Sequence, residues 1–242
     1  MNFLTSKGLL TDDIQTDEEH ETGTAVISLN QKGEPTFNIE ENRAYDFINI
    51  NEDTGVGILK EVACLYYGTL AQRNDVSRNS LQTFFNKPIK YFCDINIRQK
   101  FYTEEILSSS LTAADVVKLN LDELRLLDEL FIGGQFDVYS GSKKLMEKFG
   151  IELLAVTKGT EGSSLFRGNE RVIYKPEQSS VVDTVGAGDA FASILCIGYL
   201  KNWDLKRINK LANEFAAEIC LINGALPKDD KIYERYKNEI EK

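Results

Sequence analysis

The stretch Ser180–Ser193, SVVDTVGAGDAFAS, determines how the rest of this 242-residue sequence is interpreted. Within it, a β-like run ends in a Gly-Ala-Gly turn that opens a helix. The backbone amides of Gly186, Ala187 and Gly188 can therefore point outward together at the positive end of the helix dipole, which is an anion-binding arrangement. Asp189 follows directly and places a carboxylate beside the bound anion. Such a carboxylate is tolerated if it takes a proton from a nucleophile or if a metal ion lies between the two.

Two common nucleotide-binding motifs do not explain this turn. The pattern G-x-G-x-x-G would need glycine where Phe191 stands, and the P-loop pattern G-x-x-x-x-G-K-[ST] is absent from the chain. A dinucleotide-dependent oxidoreductase is therefore disfavoured. From the residues alone one alternative stays open: a simple glycine turn in which Asp189 stabilises the dipole of its own helix.

The composition excludes several classes of protein. With 28 Lys+Arg against 38 Asp+Glu, the net charge is −10, which predicts no nucleic-acid partner and no anionic membrane surface. No apolar run approaches the roughly 18 residues of a membrane helix. The single histidine, His20, is expected in an exposed loop; it excludes a His-rich metal site and, without G-x-S-x-G, disfavours a Ser-His-Asp triad.

The cysteines indicate the compartment. They are scattered, form no C-x-x-C pair, and each lies in a mostly apolar run: Cys64, Cys93, Cys196 and Cys220. This pattern predicts buried, reduced thiols and a reducing environment. Because no signal peptide is recognisable at the start of the sequence, we expect a cytoplasmic protein.

The hydrophobic pattern predicts one α/β domain. Thr24–Leu29 and Thr36–Glu40 alternate apolar and polar residues around the turn NQKGEP and predict a β-hairpin. Beyond it, apolar runs alternate with amphipathic stretches, as in successive βα units. The predicted strands are Glu61–Tyr67, Ile89–Asn96, Val116–Asn120 and Leu153–Thr157, with a second hairpin at Gly162–Arg167 and Arg171–Lys175. The predicted helices are Asp75–Phe85, Thr103–Ser110, Leu121–Leu130, Phe136–Phe149, one starting near Gly186, Asp204–Leu221 with Asp204 as its N-cap, and Asp229–Lys242.

At this point the sequence resembles a known family. DTVGAGDAF is similar to the signature of the ribokinase-like (PfkB) carbohydrate kinases, and further motifs resemble that family's fructokinase branch: TGTAVISL, GEPTFNI, YGTLAQR, DINIRQKFY, KLNLDEL and VTKGTEGS. The resemblance implies a ribokinase-like three-layer sandwich with a mostly parallel central sheet and a small β-hairpin lid at about residues 22–41, all within one domain, 1–242. It also implies ATP-dependent phosphorylation of a sugar hydroxyl, with fructose or a related ketose as substrate.

The resemblance assigns roles to individual residues. Asp189 matches the catalytic base, and Gly186, Ala187 and Gly188 match the anion hole. Asn120 and Glu123 match an N-x-x-E motif that holds Mg²⁺ mainly through water, although they would also form a helix capping box. Asp94, Asn96 and Arg98 match a substrate and phosphate motif, and alternation along a strand would place the three side chains on one face. The nucleotide-contacting positions are Thr157, Gly159, Gly162 and Asn213, and Asp183 with the Val185 carbonyl matches a monovalent cation site for K⁺.

One part of the family pattern is not found. The first strand, with its sugar-binding Asp, and the Gly-Gly loop after it have no match, and the segment from Met1 resembles the end of a later helix leading into the lid. We therefore expect the first sheet strands to be missing and sugar binding to be weakened. The alternatives are a non-catalytic nucleotide-binding remnant or partner-dependent subunit, and a nucleoside or sugar-acid kinase of the same fold. A homodimer formed through the lid strands is also expected.

Overall fold

A six-stranded sheet lies at the centre of the described part of the molecule. The computed structural model describes residues 2–29, 35–50, 57, 62–176 and 181–241, with the backbone only for residues 2, 26–29 and 35–37. Two groups of strands make up its β structure: a two-stranded hairpin, β1 and β2, and a sheet in the order β3-β4-β5-β6-β7-β8. The strands are β1 (Ala25–Leu29), β2 (Pro35–Ile39), β3 (Cys64–Gly68), β4 (Lys90–Asp94), β5 (Val116–Asn120), β6 (Leu153–Thr157), β7 (Ser163–Arg167) and β8 (Glu170–Tyr174).

Helices cover both faces of this sheet. The helices of the described residues are α1 (Asn2–Ser6), α2 (Asp75–Gln82), α3 (Glu104–Ala113), α4 (Leu121–Phe131), α5 (Val138–Phe149), α6 (Ala187–Leu200), α7 (Leu205–Ile219) and α8 (Lys231–Glu241). The strands β3 to β6 run parallel, and β7 and β8 are antiparallel additions at one side. The predicted strands and helices are confirmed, with Glu61, the turn at 30–34, Ser180 and Lys242 lying outside the described residues.

Each face of the sheet has its own hydrophobic core. On one face, Val117, Leu119 and Leu154 pack against buried leucines of α3, α4 and α5. On the other face, Phe92, Val116 and Ala155 pack against the apolar sides of α6, α7 and α8. Successive side chains of β5 thus enter opposite cores, as expected for a parallel strand that is buried on both sides. The result is the three-layer α/β sandwich that the sequence predicted.

Capping residues start two helices that matter for the site. The Asp204 carboxylate accepts a hydrogen bond from Arg207 N at 2.9 Å, which confirms the predicted N-cap of α7. At the start of α4, Asn120 Oδ1 accepts from Glu123 N at 2.9 Å while Glu123 Oε2 accepts from Asn120 N at 2.7 Å. This reciprocal pair is a capping box, and it fixes the position of both side chains.

The hairpin β1–β2 is tied to the sheet by polar contacts near its base. Ile39 N donates to Gln99 Oε1 at 3.1 Å, in the loop after β4. Arg73, which follows β3, donates to the Glu40 carbonyl at 2.6 Å and forms a buried ion pair with Asp46 at 2.7 Å. Its guanidinium lies 4.5 Å from the ring centroid of Phe101. Arg73 therefore links the base of the hairpin to the loop that leaves β4.

Two expectations were wrong. His20 is not a freely exposed loop residue: its ring stacks on Phe47 with centroids 3.7 Å apart, and Nδ1 lies 2.9 Å from an Asp17 carboxylate oxygen. Among the cysteines, only Cys93 is fully buried, whereas Cys64, Cys196 and Cys220 are partly exposed. Within the described residues, no helix has the length and hydropathy needed to cross a membrane.

The close packing of α6 on α7 generates a stability prediction. A methyl group built on Gly198 would lie 2.6 Å from Ile208 Cγ1 and 3.1 Å from the Trp203 ring. Gly198→Ala should therefore lower the free energy of unfolding by about 1–3 kcal/mol, although alanine favours a helix over glycine by about 1 kcal/mol. Chemical denaturation measures this. Ser193→Ala, on the exposed side of the same helix, should change stability by no more than about 0.5 kcal/mol; a Gly198→Ala protein as stable as wild type would contradict the prediction.

Candidate active site

The carboxyl ends of the parallel strands bring the predicted polar residues to one edge of the sheet. Asp94 ends β4, Asn120 ends β5 and Thr157 ends β6. Because parallel strands all point the same way, their last residues meet at the same edge, where α/β proteins bind their ligands. The first turn of α6, which contains Gly188 and Asp189, lies beside this edge: a methyl group built on Gly188 would be 3.5 Å from Lys118 Nζ.

At the centre of the site lies a buried ion pair that the sequence analysis missed. Lys118 Nζ donates to both carboxylate oxygens of Asp94, at 2.9 and 2.8 Å. The two residues are register partners on β5 and β4, and their side chains are only 10% and 4% exposed. Tyr66 Oη donates to Asp94 Oδ2 at 2.9 Å and completes the set of donors. A lysine inside the otherwise apolar run VVKLN, two positions before Asn120, was the signal that could have identified it.

The carboxylates of Glu123 and Asp189 lie near this ion pair without a hydrogen bond to it. Burial raises the pKa of Glu123, with a further contribution from the negative charge of Asp94, although backbone N–H groups of Asn120 and Ile97 hold its oxygens. Burial also raises the pKa of Tyr66, and the charges of Asp94 and Asp189 add to that effect. Asp94, Glu123 and Asp189 thus lie close enough to influence neighbouring groups, while Lys118 supplies the positive charge between them. The site as a whole is acidic.

The glycine turn opens α6 as predicted, but the three predicted amides do not all point outward. Gly186 adopts a left-handed conformation with φ of +84°, and a side chain there would collide with the backbone of Ala225 at 2.9 Å. Ala187 N turns back to the Thr184 carbonyl at 3.3 Å, whereas the N–H groups of Gly188 and Asp189 meet no carbonyl among the described residues. The Asp189 carboxylate is exposed. This end of α6 therefore combines free amides with a carboxylate that can reach a ligand.

The D-x-N-x-R motif does not form one strand face, contrary to the expectation. β4 ends at Asp94, and Asn96 adopts a left-handed conformation with φ of +42°, which breaks the alternation. Asp94 is buried, whereas Asn96 and Arg98 are exposed and their side chains make no hydrogen bond or ion pair with the described residues. Asp94 is therefore an internal anchor, while Arg98 presents an unpaired guanidinium to solvent.

The residues predicted to contact the nucleotide gather at a second corner of the same edge. Thr157 pairs with Ser163 across β6 and β7, and the loop between them contains Gly159 and Gly162. Gly162 has φ of +87°, and a side chain there would lie 2.1 Å from the Tyr174 carbonyl, so only glycine fits. Asn213 donates to Ser163 Oγ at 2.7 Å and to the Asn209 carbonyl at 2.6 Å. Its amide nitrogen is thus engaged with its own protein.

A second lysine was also missed at this corner. Lys158 Nζ donates to Ser164 Oγ at 2.9 Å, and burial lowers its pKa, with smaller contributions from the positive charges of Arg171 and Lys175. A cation that is short of negative partners is suited to a polyphosphate.

Asp183 lies apart from these groups. Its oxygens accept from Val185 N at 3.0 Å and Gly224 N at 2.9 Å, and these amides lower its pKa.

The oxygen donors at this edge suit a metal ion that keeps much of its water. Among the described residues, no three His, Cys, Asp or Glu side chains are close enough together to enclose one. Asn120 and Glu123 instead offer oxygen atoms that the capping box has already fixed, next to an edge that is open to solvent. Hard oxygen donors with room for water fit Mg²⁺, which keeps several of its water ligands.

Comparisons with other proteins agree with this fold. The solved structure of an uncharacterized sugar kinase from Pyrococcus horikoshii, in complex with ATP, superposes with a TM-score of 0.76 at 24% identity, covering 99% of this chain and 78% of that one. A fructokinase from Vibrio cholerae, solved with fructose, ADP and calcium, gives 0.74 at 22% identity, covering 96% and 79%. These likenesses define the chain as an α/β protein with the ribokinase-like fold.

Sequence relatives identify the family. The model of the pfkB family carbohydrate kinases matches residues 1–231. The Pyrococcus horikoshii sugar kinase is 28% identical over 98% of this chain and 76% of its own length, and an Escherichia coli fructokinase is 28% identical over 88% and 72%. The chain belongs to the pfkB family of carbohydrate kinases.

The buried ion pair between Lys118 and Asp94 should make a large contribution to stability. Lys118→Met leaves Asp94 buried without its counter-charge and should lower the free energy of unfolding by about 3–5 kcal/mol. The double variant Lys118→Met/Asp94→Asn removes both charges and keeps an acceptor for Tyr66, so it should recover more than half of that loss. Urea denaturation of the two variants and wild type measures the difference. A loss below about 1 kcal/mol in the single variant, typical of surface pairs, would contradict the buried pairing.

Proposed function

We propose that this carbohydrate kinase transfers the terminal phosphoryl group of ATP to a hydroxyl group of a ketose, with fructose as the first candidate. The observation that carries the proposal is the first turn of α6, where the exposed carboxylate of Asp189 stands beside free backbone amides and next to buried Lys118. The choice of a ketose is supported by the relatives named fructokinase, at about 28% identity.

In this proposal Asp189 is the catalytic base. Its carboxylate takes the proton of the sugar hydroxyl while that oxygen bonds to the terminal phosphorus of ATP, and the bond from that phosphorus to the leaving ADP oxygen breaks. The turn formed by Gly186, Ala187 and Gly188 holds the oxygens of the moving group: the Gly188 amide has no carbonyl partner among the described residues, whereas the Ala187 amide must first leave the Thr184 carbonyl. Phosphoryl transfer depends mainly on positioning and on stabilising negative charge, and preorganised amides at a helix N-terminus provide both.

Lys118 would stabilise negative charge at the first turn of α6. Its ammonium lies next to Gly188, so it adds a fixed positive charge under the amides without being free to leave Asp94. Arg98, which is exposed and unpaired among the described residues, fits a planar contact with a phosphate or a sugar oxygen. Thr157, Gly159, Gly162 and Asn213 surround the corner that would take the nucleotide, and Lys158 adds a positive charge there.

Asn120 and Glu123 would hold Mg²⁺, chiefly through water. The ion would neutralise part of the charge of ATP, which the acidic site would otherwise repel. The chain's own contribution is to keep the Glu123 carboxylate in place through the N–H groups of Ile97 and Asn120 at 2.8 and 2.7 Å.

Three further proposals accompany this function. Asp183 and the Val185 carbonyl would contribute to a K⁺ site, as supported by a Vibrio cholerae fructokinase solved with a potassium ion, although the carboxylate already accepts two backbone amides. Two copies of the chain would form a homodimer by pairing their β1–β2 hairpins. A cytoplasmic location is supported by partly exposed free cysteines.

A substrate panel tests the proposed function. ADP release is measured with fructose, other ketoses, aldoses, sugar acids and nucleosides, each against a reaction without acceptor. Fructose or another ketose should give the highest kcat/KM. Preferred turnover of a nucleoside or a sugar acid would overturn the ketose assignment. ATP binding by calorimetry without turnover of any acceptor would favour a non-catalytic nucleotide-binding protein.

Asp189→Asn tests the base. The substitution keeps the size of the side chain, but the asparagine amide cannot accept the proton. The value of kcat should therefore fall by about 10²–10⁴-fold, while the affinity for ATP changes little. The matched control is Asp122→Asn, an exposed acid in the first turn of α4 at the same edge, which should retain wild-type kcat. A kcat within a few-fold of wild type in Asp189→Asn would refute the assigned role.

Glu123→Gln tests the metal ligands. Loss of the carboxylate charge should raise the Mg²⁺ concentration needed for half-maximal activity by about 10–100-fold. In the wild type, protonation of Glu123 competes with the cation, and its pKa is raised by burial. The affinity for Mg²⁺ should therefore fall as the pH is lowered, and this fall should begin at a higher pH than it would with an exposed glutamate. A Mg²⁺ titration that is unchanged in Glu123→Gln would exclude this residue.

A further inference from the structure

Two thiols that are far apart in sequence face each other behind the site. Cys64 on β3 and Cys196 on α6 are 132 positions apart, and their Sγ atoms are 4.0 Å from one another. Both side chains are partly exposed, so small solutes can reach them, whereas Cys93 is fully buried at 0% exposure. A disulfide needs a sulfur separation of about 2.05 Å, so the two atoms must approach by roughly 2 Å.

The pair joins two elements of the site. β3 carries Tyr66, which donates to Asp94, and α6 begins with the residues that would bind phosphate. Cys196 follows Asp189 by seven residues, which is close to two helical turns, so both lie on the same side of α6. A covalent bond at this point would attach the middle of α6 to β3.

The surroundings decide which sulfur reacts first. The pKa of Cys196 is lowered because its thiolate can accept a hydrogen bond from the Cys64 thiol. The pKa of Cys64 is raised by the same interaction and by burial, and the negative charge of Asp115 adds to the effect. Since the thiolate is the reactive form, we take Cys196 as the nucleophile and Cys64 as the resolving thiol; the same disulfide forms if the two roles are exchanged.

We propose that Cys64 and Cys196 are a redox modification site, which a small peroxide converts into an intramolecular disulfide between β3 and α6. The Cys196 thiolate attacks one oxygen of hydrogen peroxide, whose O–O bond breaks, giving a sulfenic acid and, after protonation, water. The Cys64 sulfur then attacks the sulfenic sulfur and displaces a second water. Two thiols lose two electrons, and the peroxide gains them.

Peptide mapping tests the bond directly. The reduced 242-residue protein is treated with a small excess of hydrogen peroxide, its remaining thiols are alkylated, and it is digested without reductant for mass spectrometry. A cross-linked peptide pair containing Cys64 and Cys196 is expected, and dithiothreitol should remove it. Cys64→Ser and Cys196→Ser should abolish it. The matched control Cys220→Ser, which changes another partly exposed thiol, should leave it intact.

Thermal unfolding shows whether the bond forms in the native protein. A cross-link across 132 residues restricts the unfolded chain, so the oxidised wild type should unfold at a Tm roughly 5–15 °C higher than the reduced protein. Oxidised Cys64→Ser and Cys196→Ser should show no such increase. Cross-links to Cys220 or between chains, irreversible oxidation of Cys196 alone, or a lower Tm after oxidation would overturn the proposal. These readouts do not depend on kinase activity, so they stand apart from the proposed function.

Discussion

The buried contact between Lys118 and Asp94 is the interaction on which the rest of the site depends. Moving two charges out of water is costly, and the cost is offset only when each charge is fully paired. Both Asp94 oxygens accept from Lys118, and Tyr66 adds a third donor. This pairing fixes the relative position of β3, β4 and β5 at their carboxyl ends. The first turn of α6 then packs against the ammonium group at Gly188.

The balance of charge explains why such a site can bind an anion. Asp94, Glu123 and Asp189 contribute three carboxylates, and the fixed cation between them is already engaged by one. An anionic ligand is therefore favoured only where amides point at it or where it brings a cation with it. The net charge of −10 gives no additional attraction, so recognition must come from these local groups.

Much of this arrangement could be predicted from the sequence, because it depends on local rules. Continuous apolar runs identify buried parallel strands, the glycine turn identifies the start of α6, and Asp204 and Asn120 identify helix starts. What could not be predicted depends on contacts across the chain. Lys118 meets Asp94 only through the pairing of β4 with β5, and Cys64 meets Cys196 only through the packing of α6 on β3.

Two other expectations failed for different reasons, one local and one not. The left-handed conformation of Asn96 ends the alternation of β4, so Arg98 is exposed instead of aligned with Asp94. For His20, the stacking partner Phe47 is distant in sequence, and a lone histidine in an acidic segment gave no sign of it.

The packing also separates rigid from adjustable parts of the site. Beyond its first turn, α6 is enclosed: Ile194 and Leu195 are 1% and 0% exposed, and Gly198 allows α7 to approach closely. Close-packed interiors resist displacement, so the amides and Asp189 are held in place by the body of the helix. The base of the hairpin β1–β2, in contrast, is held by polar contacts of Arg73 and Gln99. Such contacts can be exchanged for water at low net cost. The position of α6 is therefore set by the hydrophobic core, whereas that of the hairpin base is set by polar contacts.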